Sequence, residues 1–218
     1  LKKILFTAFC SCFILLTAFA QQYPYHSDIQ AFKRADSLNK PAGNEILFIG
    51  SSSFTYWTDV QNYFPDKKII NRGFGGSTLL NQLHYADDVI FAYHPKQIVI
   101  YCGENDLADA DTVTADSVLH RFQTLFTMIR NKMPTVPIVY VSLKPSPSRA
   151  RLMEKMVAAN DSIRKYLRKQ RRTAFVDVYH QMLNADGTIK AELFKEDQLH
   201  MKAAGYAIWQ KAIAPALK

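Results

Sequence analysis

Five short stretches of the chain are apolar on both faces, and longer stretches of mixed polarity separate them. They cover residues 46–49, 68–70, 97–102, 137–143 and 174–178, and β-branched and aromatic side chains dominate them. Runs of that kind read as strands buried between two helix layers. The intervening stretches carry helical periodicity. Helices are predicted over 53–63, 78–92, 114–132, 148–171 and 201–214. In the third, Val118, Phe122, Leu125, Phe126 and Ile129 recur at the spacing of one helix face. Alternating β and α elements predict a three-layer α/β/α sandwich around a five-stranded parallel sheet. Right-handed crossovers bring every strand-to-helix loop to one edge of such a sheet, which is where ligands bind in open α/β folds. Functional residues should therefore sit directly after the strands.

The first residues do not fit this pattern. Lys2-Lys3, an apolar run to Phe19 and the small-residue site Ala18-Phe19-Ala20 read as a signal peptide over 1–20. The competing reading is a retained anchor. Residues 21–43 read as an N-terminal extension with a short helix near 29–38, and 44–218 as one domain. A chain of 218 residues, 48% hydrophobic, can bury one good core, and nothing marks a second. Cleavage would lower the net charge from +8 to +6 and remove Cys10 and Cys12, leaving Cys102 without a disulfide partner. The basic balance suits nucleic acid or an anionic surface. Export to the periplasm or outside the cell argues against nucleic acid, and cleavage against stable membrane insertion.

Some chemistries lack their residues. Gly73-x-Gly75-x-x-Thr78 misses the third glycine of a dinucleotide fingerprint, and no phosphate-binding loop motif occurs. There is no His-x-x-x-His, and Asp197 with His200 supplies too few ligands for a metal. Neither a cofactor nor a metal is expected.

The segments at the strand ends are specific. Gly50-Ser51-Ser52-Ser53 comes after the first strand, Asn71-Arg72-Gly73-Phe74-Gly75-Gly76-Ser77 after the second and Gly103-Glu104-Asn105-Asp106 after the third. Asp197-Gln198-Leu199-His200 precedes the last helix. Together these blocks resemble the SGNH hydrolases, the GDSL-type esterase and lipase superfamily, over nearly the whole domain. The resemblance implies a flavodoxin-like fold and ester hydrolysis. Ser52 matches the family's nucleophile and His200 its base. A serine hydroxyl needs such a base to take its proton. Asp197, three residues before His200, would orient the imidazole. By the same resemblance the oxyanion donors are the N–H of Ser52, the N–H of Gly76 (with Gly75 as the alternative) and the Asn105 amide.

Each of these residues has a plainer reading. Ser51, Ser52 and Ser53 suit a helix cap, and Asp197 could cap the last helix with His200 in its first turn. The glycines could form an ordinary turn, and Asn105 could satisfy nearby backbone. Asp106 reads as structural. His26, His84, His94, His120 and His180 fall outside every block and read as surface or packing residues. Ser51 also stands where the family usually has an aspartate, which puts the support of the neighbouring loops in question. Sequences of secreted bacterial relatives with Gly-Ser-Ser-Ser at this place look similar. Lys144-Pro145-Ser146-Pro147-Ser148-Arg149 comes after the fourth strand. Lys144 and Arg149 are candidates for touching substrate, although a rigid loop capped by Ser146 or Ser148 fits as well. The expected substrate is a small-molecule or glycan ester, with a short acyl group such as acetyl on carbohydrate. A lysophospholipid or other lipid ester, and a non-catalytic carbohydrate-binding module on the same fold, are the alternatives.

Overall fold

The structure is a computed structural model that describes residues 23–218; the signal peptide expected over 1–20 lies outside the described residues. Five parallel strands form one sheet: β1 Ile46–Gly50, β2 Ile69–Gly73, β3 Gln97–Tyr101, β4 Ile138–Val141 and β5 Thr173–Val176. Their order is β2-β1-β3-β4-β5, so the chain starts near the middle and winds outward both ways. This is the α/β sandwich that the alternating pattern predicts.

Strand periodicity divides the core into two layers. Leu47, Ile49, Ile98, Ile100, Ile138 and Tyr140 face one side, with Ile29 of α1 (His26–Leu38), Leu79 of α4 (Leu79–His84), α6 (Ala115–Lys132) and α7 (Met153–Leu167). Ile46, Phe48, Val99, Tyr101, Val139 and Val141 face the other, with α2 (Ser52–Thr55), α3 (Val60–Tyr63) and α8 (Ala203–Ile213). Both faces of the three central strands are covered, which is why β1, β3 and β4 read as continuous apolar runs, while the edge strands β2 and β5 are only partly buried.

The helix over 53–63 is two short helices, α2 and α3. Asn71 of β2 donates its side-chain amide to the carbonyls of Phe54 at 2.7 Å and Trp57 at 3.4 Å. Those carbonyls also accept from Trp57 and Val60 in tight three-residue turns, so no continuous ladder forms. The stretch 78–92 likewise splits into α4 and a π-helical turn Asp87–Phe91. Residues 148–171 begin as a 3₁₀ turn, Pro147–Leu152, kinked at Arg149 before α7 starts. The last helix begins at Ala203, with Lys202 rather than Asp197 at its N-cap. A further helix, α5 (Glu104–Asp109), comes directly after β3. The extension is not loose. α1 buries Ile29, and its Asp36 pairs with Arg72 of β2 and accepts from the Tyr93 hydroxyl. Among the described residues no helix is long and apolar enough to cross a membrane.

Candidate active site

Close packing at the end of β1 sets the serine turn. Gly50 lies in register between Gly73 and Tyr101, and a Cβ there would sit 1.9 Å from the Tyr101 carbonyl oxygen. Its φ of 138° belongs to glycine. The chain then turns sharply, so Ser51 is the extended N-cap residue and Ser52 the first residue of α2. Ser51 and Ser53 are buried and Ser52 is half-buried at the carboxyl edge of the sheet. None of the serines caps the helix through its side chain.

Asp197 and His200 form a tight turn with Gln198 in the left-handed region. Asp197 Oδ2 lies 2.7 Å from His200 Nδ1, while Oδ1 accepts the N–H groups of Leu199 and His200 at 2.9 Å. Those bonds, the His200 N–H foremost and then its side chain, hold the Asp197 carboxyl well below the ordinary carboxylate range. An ionised Asp197 fixes the proton on Nδ1 and leaves Nε2 as the acceptor. The turn is carried against α2: the Tyr56 ring meets the His200 ring edge-to-face at 4.5 Å. Among the described residues no hydrogen bond joins Ser52 Oγ to His200. Such bonds often tighten only with substrate in place.

Gly76 and Asn105 face the same edge. Gly76 has φ 82°, and a Cβ there would meet the Tyr25 hydroxyl at 3.2 Å. Among the described residues no acceptor takes the N–H of Ser52, Gly75 or Gly76. Gly75 lies alongside Ser52, and a Cβ added to it would stand 3.8 Å from the Ser52 Cβ. Gly76, Asn105, Tyr23, Tyr25, Asp109 and Arg149 line a pocket of about 430 Å³. Asn105 is engaged, not free: its amide donates to Ser51 Oγ at 2.6 Å and to the Ser77 carbonyl at 3.0 Å. The hydroxyl at the place of the family's acid thus receives the Asn105 amide.

Lys144 is not a substrate contact. It is 1% exposed, pairs with Glu104 at 3.2 Å and lies 5.6 Å from the Phe194 ring centre. Burial there pushes its ammonium down further than Glu104 restores it. Burial would likewise raise Glu104, but Lys144 and Arg149 together hold it low. Arg149 is at the site, tied to Glu104 Oε1 at 3.0 Å and Asn105 Oδ1 at 2.7 Å. The loop is fastened, since Ser148 donates both its N–H and its hydroxyl to the Gln198 carbonyl, but Ser146, at the N-cap of the 3₁₀ turn, makes no capping bond through its side chain. Asp106 is structural: it accepts from Leu79 N–H at 2.9 Å and pairs with Arg121 at 2.8 Å.

Tyr25 escapes a reading of the sequence because a contact distant along the chain brings it to Gly76, whereas Tyr56 and Glu104 lie beside Ser52 and Asn105 but carry no motif of their own. His180 carries a lesson of its own. It pairs with Asp177 through the same three-residue turn, at 2.8 Å, yet it is 63% exposed at the end of β5. An Asp-x-x-His turn forms wherever the local chain allows. Among the described residues no three metal-ligand side chains cluster.

Known proteins share this fold. A Streptococcus pneumonia protein proposed to be a platelet activating factor is 24% identical over 88% of this chain and 92% of its own, with a TM-score of 0.76. A GDSL-like lipase from Bacteroides thetaiotaomicron is 19% identical over 86% and 96%, with a TM-score of 0.73. A catalytic mutant of an acetylxylan esterase from Geobacillus stearothermophilus is 16% identical over 81% and 94%, with a TM-score of 0.64. At these identities the likeness is one of fold. No curated protein sequence matches the chain. The sequence profile of the GDSL-like lipase/acylhydrolase family matches residues 48–208, most of the described domain. The chain belongs to the GDSL-like lipase/acylhydrolase family and is a carboxylic ester hydrolase.

Proposed function

We propose that the chain is a serine esterase working through an acyl-Ser52 intermediate on short acyl groups, acetyl foremost, carried by carbohydrate. The observation that carries the reading is convergence. The Asp197–His200 turn packs through Tyr56 onto the helix that Ser52 begins, and at the same edge the N–H groups of Ser52 and Gly76 have no acceptor among the described residues. His200 Nε2 takes the Ser52 proton as Oγ bonds to the ester carbonyl carbon. The resulting oxyanion lies against the Ser52 and Gly76 N–H groups, with the Asn105 amide as third donor once the proton it gives Ser51 Oγ turns to the oxyanion. Collapse breaks the bond to the alcohol, which leaves with the proton from His200. Water then repeats the sequence on the acyl-enzyme and frees the acid and Ser52.

The short-acyl part rests on Tyr25, whose ring stands against Gly76 where an acyl chain would extend. Tyr56, 50% exposed beside His200, supplies an aromatic surface for the alcohol. The acetylxylan esterase of the same fold accords with both. Export rests on the pattern of residues 1–20, and would bring glycan esters within reach.

A fluorophosphonate probe should label the wild type and leave Ser52→Ala unlabelled; equal labelling would remove Ser52 from its role. On p-nitrophenyl esters from acetyl to palmitoyl, run beside acetylated glycans, rates should fall with chain length. A preference for palmitoyl would overturn the short-acyl part.

A further inference from the structure

The Asn105 amide ends a chain of charged groups that starts from its neighbour Glu104 and takes in Lys144 and Arg149, two residues outside the family blocks. Lys144 Nζ and the Tyr101 hydroxyl bond to buried Glu104, whose Oε1 also takes Arg149. Arg149 then reaches Asn105 Oδ1 at 2.7 Å. A guanidinium has only donors, so it accepts one orientation of the amide, with Oδ1 toward Arg149. The Ser77 carbonyl on the other side has only acceptors and selects the same orientation. The NH₂ group must therefore face the serine turn. The bond is charge-assisted on the oxygen side, which makes the amide protons stronger donors. The guanidinium charge of Arg149 therefore stands directly behind Asn105. In front, the amide meets the neutral hydroxyl of Ser51.

We propose that Arg149 is a positioning residue for ester hydrolysis: held by Glu104, it orients and polarises the Asn105 amide toward the oxyanion. This rests on the reading of Asn105 as an oxyanion donor. Arg149 acts through Asn105, so the two side chains should not contribute independently.

A double-mutant cycle on p-nitrophenyl acetate tests it. Arg149→Met should lower kcat roughly 10-fold to 10²-fold with KM within about twofold, below the ~10²–10³ loss typical for a donor itself. In an Asn105→Ala background the same substitution should lower kcat less than about threefold, because the group it acts on has gone. Arg149→Lys keeps a cation beside Glu104 but cannot bridge Glu104 and Asn105, and should not rescue. Added guanidinium ion should restore part of kcat to Arg149→Ala and none to Arg149→Lys. A raised KM at unchanged kcat would make Arg149 a substrate contact and overturn the proposal. An equal loss in both backgrounds would overturn it too. Fluorophosphonate labelling of Ser52 in every variant separates these outcomes from failure of the acyl-serine reading. If Arg149→Met does not fold, the comparison of Arg149→Lys with and without Asn105→Ala decides.

Discussion

Gly50 carries the heaviest demand of any residue at the site. Its φ of 138° and the Tyr101 carbonyl at 1.9 Å from any added Cβ leave no room for a methyl group. Gly50→Ala should destabilise the fold by roughly 2–5 kcal/mol, as strain and overpacking add, measured as a lower urea midpoint. Gly76 is less constrained. The Tyr25 hydroxyl at 3.2 Å can give way, so Gly76→Ala should keep the fold but lower kcat more than stability. Asp197 tests the histidine turn. Its carboxyl is held low in the folded chain, so its bonds are fully present above the ordinary carboxylate range and are lost only as pH falls through the lowered value. Asp197→Asn should then cut kcat across the neutral range by about 10²-fold, less than the ~10⁴ known for a buried triad acid, because this one is half-exposed. Unfolding temperature should fall modestly, since the amide oxygen still accepts the Leu199 and His200 N–H groups but the charge is gone. A kcat within twofold of wild type would remove Asp197 from the site.

At the scale of elements, α1 and the residues before it form a wall of the site. Tyr85 donates to the carbonyls of Tyr23 and Pro24, Tyr23 stacks on His84 at 3.5 Å, and Tyr25 leans on Gly76. Tyr25→Ala should shift the ester preference toward longer acyl chains, read as the ratio of butyryl to acetyl kcat/KM. An unchanged ratio would place the acyl group elsewhere. The sequence shows why this wall is hard to foresee. Strands β1, β3 and β4 are legible because burial on both faces leaves unbroken apolar runs, and the Asp197–His200 turn because its bonds span three residues. The edge strand β2 is only partly buried and runs on through Asn71, Arg72 and Gly73, past the end of its apolar run. The split of α2 from α3 depends on Asn71, fourteen or more residues away, taking carbonyls of that stretch. Arg149 meets Asn105 across 44 residues, and nothing local marks the meeting. Lys144 looks like a site lysine from its place after β4, but Glu104 and Phe194 draw it inward. Ser51 shows the opposite case. Its departure from the family pattern is visible in the sequence, but its hydrogen bond to Asn105 is not.

For the whole molecule, the buried charges link the site to acid stability. Glu104 is held below its ordinary value of 4.5, so its pairing contributes stability that is present above that value and lost as pH falls through the lowered one. Asp106 works in the other sense, since burial raises its carboxyl despite Arg121. Glu104→Gln should therefore lower the unfolding temperature at neutral pH yet flatten its decline in acid, tracked by calorimetry from pH 7 to pH 3. An unchanged acid slope would show that other carboxylates set it. The Gln198 carbonyl has a consequence at the same scale. It takes both protons of Ser148, so the loop bearing Arg149 and the turn bearing His200 share one fastening. Loosening either loop loosens both, and the two halves of the reaction centre should come apart together in a partial opening that leaves the sheet intact. Heat inactivation should then run ahead of melting, and the amides of Ser148 and His200 should exchange with solvent deuterium at one shared rate, faster than those of β1.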